Sequence, residues 1–166
     1  MHWNLRGSEG PRRRVHPAGL LLLLQAAGCA RGPTVEGWIR PGDRCVIRSG
    51  SIVARGESPA PEHIAWSDGG APRVYLFGCA ARADGGNAEV RVFVGAPSPS
   101  LPSGRFPIGR DRLARRRDGA EVTIFLPERG RTAYLVGVGG YAEVVHEATG
   151  AWMVRFAAST VRKAPP

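Results

Sequence analysis

The stretch "RADGGNAEVRVFVGA" constrains the fold of this chain more than any other. Val90, Val92 and Val94 fall on alternate positions and share one face of an extended strand, with Glu89 and Arg91 on the other. Asp84-Gly85-Gly86 ahead of them is turn chemistry, and "RVYLFGCAA" precedes the turn as a second apolar run. Two such runs about a tight glycine turn form a β-hairpin. The same grammar recurs along the chain. "CVIR" and "SIVAR" flank Ser49-Gly50, and "AEVTIFLP" sets Val122, Ile124 and Leu126 on one face. Thr149-Gly150 closes another hairpin, after which Trp152, Val154 and Phe156 point one way, Met153 and Arg155 the other. "APSPSLPSG" holds too many prolines to be a strand interior and reads as a connection. The glycines of "GVGGY" mark a bulge or a strand bend. After residue 43 no stretch carries a helical apolar stripe; "IGRDRLARRRDGAEV" has a helical-looking centre with almost no apolar face. The expected fold is all-β, an antiparallel β-sandwich or small barrel of about eight strands.

A different kind of segment comes first. Arg6, Arg12, Arg13 and Arg14 precede five consecutive leucines, Leu20 to Leu24, and small residues follow at once. A cationic start, a short apolar run and a small-residue exit are the parts of a secretory signal peptide. The apolar run from Ala18 to Ala30 includes Gln25 and is too short for a hydrocarbon core that needs about 20 residues. Ala26-Ala27-Gly28-Cys29 resembles the lipobox of bacterial lipoproteins. That resemblance implies cleavage before Cys29, loss of residues 1–28, and acyl chains on the cysteine that make a stable anchor. With Ala30 after the cysteine, it implies sorting to the outer membrane of a two-membrane bacterium; the outer face of a plasma membrane is the alternative. An ordinary signal peptide cut near Ala30, a buried core helix and a transit peptide are the competing readings. A run of leucines with no polar face argues against the core helix. The low serine content argues against the transit peptide. The segment from Gly140 to Ala158 also resembles, loosely, a strand–turn–strand pattern of uncharacterised β-rich envelope lipoproteins from GC-rich bacteria.

On this reading residues 1–28 are a cleaved signal peptide, and residues 29–42 are the lipidated cysteine and a tether on which Trp38 and Ile39 dock. Residues 43–166 are a single β-domain. What remains after cleavage is about 140 residues, enough for one domain with a real core. Lys163 is the single lysine among 23 basic residues, an arginine bias expected of a GC-rich genome. The basic balance therefore does not by itself point to a polyanion partner. If Cys29 carries lipid, Cys45 and Cys79 remain and can pair in an oxidising compartment. Such a bridge would stabilise the fold by about 3–4 kcal/mol on the loop-entropy account. Two separate buried thiols are the other possibility.

Chemistry-bearing patterns are sparse. His63 follows Glu62 and His146 precedes Glu147, and neighbours on a strand point to opposite faces, so neither pair chelates alone. A site built from His63 and His146 across the fold stays open, yet no metal or cofactor is expected. The chain has no Gly-x-Ser-x-Gly elbow, no His-Glu-x-x-His helix and no Cys-x-x-Cys pair, so no catalytic residues are assigned. Glu143 and Glu147 form a carboxylate pair at a spacing common by chance. Arg105, Arg110, Arg112, Arg115, Arg116 and Arg117 form a cluster whose guanidinium forks suit anionic lipid headgroups or envelope polysaccharide. A solvated loop, partly neutralised by Asp111 and Asp118, is the plainer reading of the same residues. Aromatics are sparse near the cluster, and an exported chain rarely meets nucleic acid, which is not an expected partner. The expected function is a lipid-anchored extracytoplasmic β-domain with a binding or structural role at the cell envelope. The alternatives are an envelope enzyme assembled from distant residues and a basic binder of anionic lipid, polysaccharide or nucleic acid.

Overall fold

The structure, a computed structural model, describes residues 31–64, 73–96, 103–110 and 118–164. Among these residues the chain forms ten strands: β1 (Arg31–Ile39), β2 (Arg44–Ser49), β3 (Ile52–Glu57), β4 (Glu62–Ile64) and β5 (Arg73–Ala83), then β6 (Gly86–Ala96), β7 (Gly104–Pro107), β8 (Gly119–Glu128), β9 (Arg131–His146) and β10 (Trp152–Lys163). All ladders are antiparallel, and the order β10-β1-β2-β3-β5-β6-β8-β9 returns to β10 through a β9–β10 ladder. The result is a closed eight-stranded barrel with two short accessory strands. β4 lies beside β5 and β7 beside β9, each taking over where a longer neighbour has left. Closure leaves no exposed main edge, which is the physical advantage of a barrel over the sandwich that the sequence equally allowed.

The alternation read from the sequence is the inside–outside pattern of this barrel. Val90, Val92 and Val94 of β6 and Val122, Ile124 and Leu126 of β8 are buried inward. They meet Val35 and Ile39 of β1, Ile47 of β2, Phe77 of β5, Leu135 and Val144 of β9, and Val154 and Phe156 of β10. An eight-stranded barrel has an interior just wide enough for side chains to fill. That is the case here. Gly37 makes room for one of the two phenylalanines, since a Cβ there would lie 2.8 Å from the Phe156 ring.

Residues Arg31–Ile39 correct one expectation. This segment was expected to be a tether, but it is β1, paired on one side with β10 and on the other with β2. Val35 and Ile39 are fully buried, and Gly37 between them completes the inward face. The buried Thr160 hydroxyl donates to the carbonyl of Pro33 at 2.6 Å, securing the start of the strand where its register shifts. The strand Arg31–Ile39 therefore belongs to the domain, up to twelve positions before the boundary that composition suggested, because glycine and proline hid the alternation.

The "GVGGY" glycines do mark a bulge. β9 pairs with β8 as far as Val136 and with β7 from Tyr141, and the β10 register slips between Ser159 and Thr160 across the same place. Val138 is the extra residue and stands 40% exposed. Ile108, after β7, donates its N–H to the carbonyl of Gly140 at 3.0 Å and fills the space over Gly137.

The disulfide joins Cys45 on β2 to Cys79 on β5, with Cα atoms 5.8 Å apart. These strands are not ladder neighbours. β3 lies between them, with Gly56 opposite both Cys45 and Ala81, and it ends one residue later. The bridge therefore closes the sheet where β3 gives out. Ser58 stitches the same gap, its buried hydroxyl donating to the Gly78 carbonyl at 2.8 Å and its N–H to the Asp43 carbonyl at 3.2 Å.

The two ends of the barrel differ. One carries the short β2–β3, β5–β6 and β8–β9 turns together with the start of β1 and the end of β10. The other carries the β1–β2 and β9–β10 turns, which Arg40 clamps together by a 2.7 Å bond to Glu147.

Candidate functional site

Among the described residues, recesses lie on the outer wall. One is an open groove of about 740 Å³ lined by Arg55, Glu57, Arg82, Asn87, Glu89, Phe125 and Thr132, over the backbone of Gly56, Ala80, Ala81 and Ala88. Its floor is low because β3 and β5 meet there through small residues. A Cβ on Gly56 would lie 1.9 Å from the Ala80 carbonyl oxygen, so only glycine lets the two backbones pass so close. A second cleft of about 350 Å³ continues from it along β5 and β6 through Ala80 and Glu89 to Leu76, Glu62 and Arg91.

Arg55 and Arg82 are the notable pair. They are direct cross-strand partners on the outer face, both exposed. Like charges so placed repel, at a cost of a few tenths to about 1 kcal/mol relative to neutral pairs. Neither has an ion-pair partner among the described residues. The groove's two carboxylates, Glu57 on β3 and Glu89 on β6, pair with neither arginine, and Glu89 is held by Arg91. Val46 on β2 and Asn87 on β6 extend the row on either side of the arginines. At the far side of the groove Phe125 stacks on Tyr134 with ring centroids 5.1 Å apart, leaving a half-buried aromatic surface across β8 and β9.

The chain matches no protein-family model, no curated protein and no solved structure.

The residues singled out from the sequence are distributed as follows. Cys45 and Cys79 are joined. Cys29, Arg112, Arg115, Arg116 and Arg117 lie outside the described residues. Of the arginine cluster, Arg105 is engaged by its own barrel: its guanidinium lies 4.1 Å from the centre of the Tyr141 ring and 3.8 Å from Glu143. Arg110 is exposed and lines a shallow cleft of about 200 Å³ with Glu121, Thr123, Tyr134 and Lys163. Glu143 and Glu147 do not form a carboxylate pair, since Arg105 takes the first and Arg40 the second. His146 packs on Trp152 at the end of β9, while His63 belongs to β4 beside β5. Among the described residues no group of three or more His, Cys, Asp or Glu is placed to hold a metal.

Sequence reading missed Arg55 and Arg82. Each sits in a visible alternation, Arg55 between Ala54 and Gly56 and Arg82 after Ala81. Their juxtaposition depends on the β3–β5 register, and β4 intervenes between those strands in sequence.

Proposed function

We propose that this chain is an exported barrel held at a membrane through lipid on Cys29, where it binds an acidic polysaccharide of the cell envelope in the groove of Arg55 and Arg82. The observation that carries the reading is the directly opposed, unneutralised Arg55–Arg82 pair in an open groove. Guanidinium forks match carboxylates in a bidentate manner. An open groove suits an extended polymer better than a compact solute, and Asn87, Thr132 and Glu57 add hydrogen-bonding groups for sugar hydroxyls. Phe125 supplies a flat apolar face against which a sugar ring can lie.

The export and anchoring half of the reading has separate support. The lipobox-like "AAGC" motif precedes the barrel, and a disulfide such as Cys45–Cys79 persists in oxidising compartments. The wall of the barrel favours water over lipid around it. Glu36, Arg48, Arg55, Arg82, Arg91 and Arg155 are exposed on it, and arginine facing hydrocarbon costs about 2–4 kcal/mol at mid-depth.

Replacing Arg55 or Arg82 with Ala is expected to weaken binding of polygalacturonate by about tenfold each, the size of one lost charged hydrogen bond. The same substitutions should leave the free protein equally or slightly more stable, because they remove a like-charge contact. Isothermal titration and urea unfolding read the two effects. Unchanged affinity in both variants, or equal binding of neutral dextran by the wild type, would sink the proposal.

A further inference from the structure

We infer that the barrel stands on its membrane with one particular end down, and that Arg31, Arg129, Arg131 and Lys163 on that end seat on anionic lipid headgroups. This rests on the lipid-anchor reading for the attachment point and on the charge distribution for the contact.

The attachment point follows from where the strand begins. β1 opens at Arg31, and only Ala30 separates it from Cys29. Fully extended, two residues reach about 7 Å. That is shorter than the Debye length of about 8–10 Å at physiological ionic strength. A lipidated Cys29 therefore holds the end from which β1 starts within electrostatic range of the headgroups. It leaves no slack for the barrel to turn its other end down. The tether expected from the sequence would have allowed either orientation; the strand does not.

The charge on that end is of the complementary sign. Arg129 and Arg131 flank the β8–β9 turn, Arg31 opens β1 and Lys163 closes β10, and all are exposed. Arg129 is held outward by a left-handed backbone, φ 45°, in a turn completed by Gly130. Glu128 does not cancel them, because Arg162 grips it with two hydrogen bonds of 2.7 and 2.9 Å. That grip also holds the Glu128 carboxyl below the usual carboxylate range. Among the described residues Asp84 is the remaining carboxylate of this end. The opposite end carries Asp43, Glu57, Glu62, Asp118 and Glu147 together with Arg40 and Arg44, which Glu147 and Asp43 engage. Among the described residues, four exposed cations with no ion-pair partner therefore gather on the end from which β1 starts.

The test uses the membrane-extracted protein on two kinds of vesicle, phosphatidylcholine alone and phosphatidylcholine with phosphatidylglycerol. Hydrogen exchange should slow at the Arg129–Arg131 turn by about tenfold on anionic vesicles relative to neutral ones, the order expected of a few cations at a charged surface. The slowing should disappear in high salt and in the triple variant Arg129→Gln, Arg131→Gln, Lys163→Gln, while the Glu147–Ala151 turn exchanges alike on both surfaces. Identical exchange on the two vesicles, or protection of the Glu147–Ala151 turn instead, overturns the proposal. The salt dependence of the wild type decides the matter even if the triple variant folds poorly. Retention on neutral vesicles reports the anchor alone. Loss of that retention with the anionic protection intact would refute the lipid on Cys29 and leave the basic end standing.

Discussion

Serine in place of Cys45 or Cys79 is expected to lower the stability of the barrel by about 2–5 kcal/mol. The bridge joins β2 to β5 across a separation of 34 residues, so it removes considerable freedom from the unfolded chain. It also sits at the point where β3 ends and the ladder is not carried on until β4. The two cysteines are almost fully buried, so the substitution also leaves a hydroxyl in an apolar interior. Replacing both should cost little more than replacing one, because the first change already breaks the bond. Urea unfolding with and without reductant measures the effect directly. Equal stability in the two conditions would show that the bond contributes nothing to the fold.

Gly140→Ala should be of similar size, a loss of about 3 kcal/mol or more. Two costs coincide there. Gly140 has φ 105°, a region that residues with a side chain rarely occupy, and the new Cβ would lie 1.9 Å from the carbonyl oxygen of Ala157. That carbonyl belongs to β10 in the ladder that closes the barrel, so the clash cannot be relieved without prising β9 from β10. Gly150→Ala is the control. It has φ 81° but nothing within 4 Å of the added atom, so it carries the backbone cost alone, about 1 kcal/mol. Denaturant midpoints of the two variants should differ clearly. Equal losses would mean that the β9–β10 approach is not as close as described.

The strand pattern was legible wherever inward residues are large and alternate without interruption. Val90, Val92 and Val94, or Val122, Ile124 and Leu126, announce a half-buried strand by themselves, and Asp84-Gly85 and Thr149-Gly150 announce its turns. β1 was illegible for a packing reason. Its inward face runs Val35, Gly37, Ile39, and the missing side chain at Gly37 is supplied by Phe156 from a strand more than a hundred residues away. Barrel and sandwich could not be told apart because the choice turns on whether β1 and β10 pair. No local feature of either strand names its partner. The site failed to show for the same reason. Arg55 and Arg82 become a pair only through register, whereas the arginine run from residue 110 onward is conspicuous in sequence. Of that run and its outlier Arg105, the described members are one bound to Glu143 and Tyr141 and one beside a shallow cleft. Cysteine pairing was accessible by a different logic, since removing Cys29 from an odd count leaves two.

The proposed lipid anchor is read most directly at the N-terminus. Intact-mass spectrometry of the protein extracted from membranes should find a chain that begins at acylated Cys29, lacks residues 1–28, and is lighter by two hydrogens for the Cys45–Cys79 bond. A chain that retains residues 1–28, or one found outside the cell's membranes with a free Cys29 thiol, would contradict it.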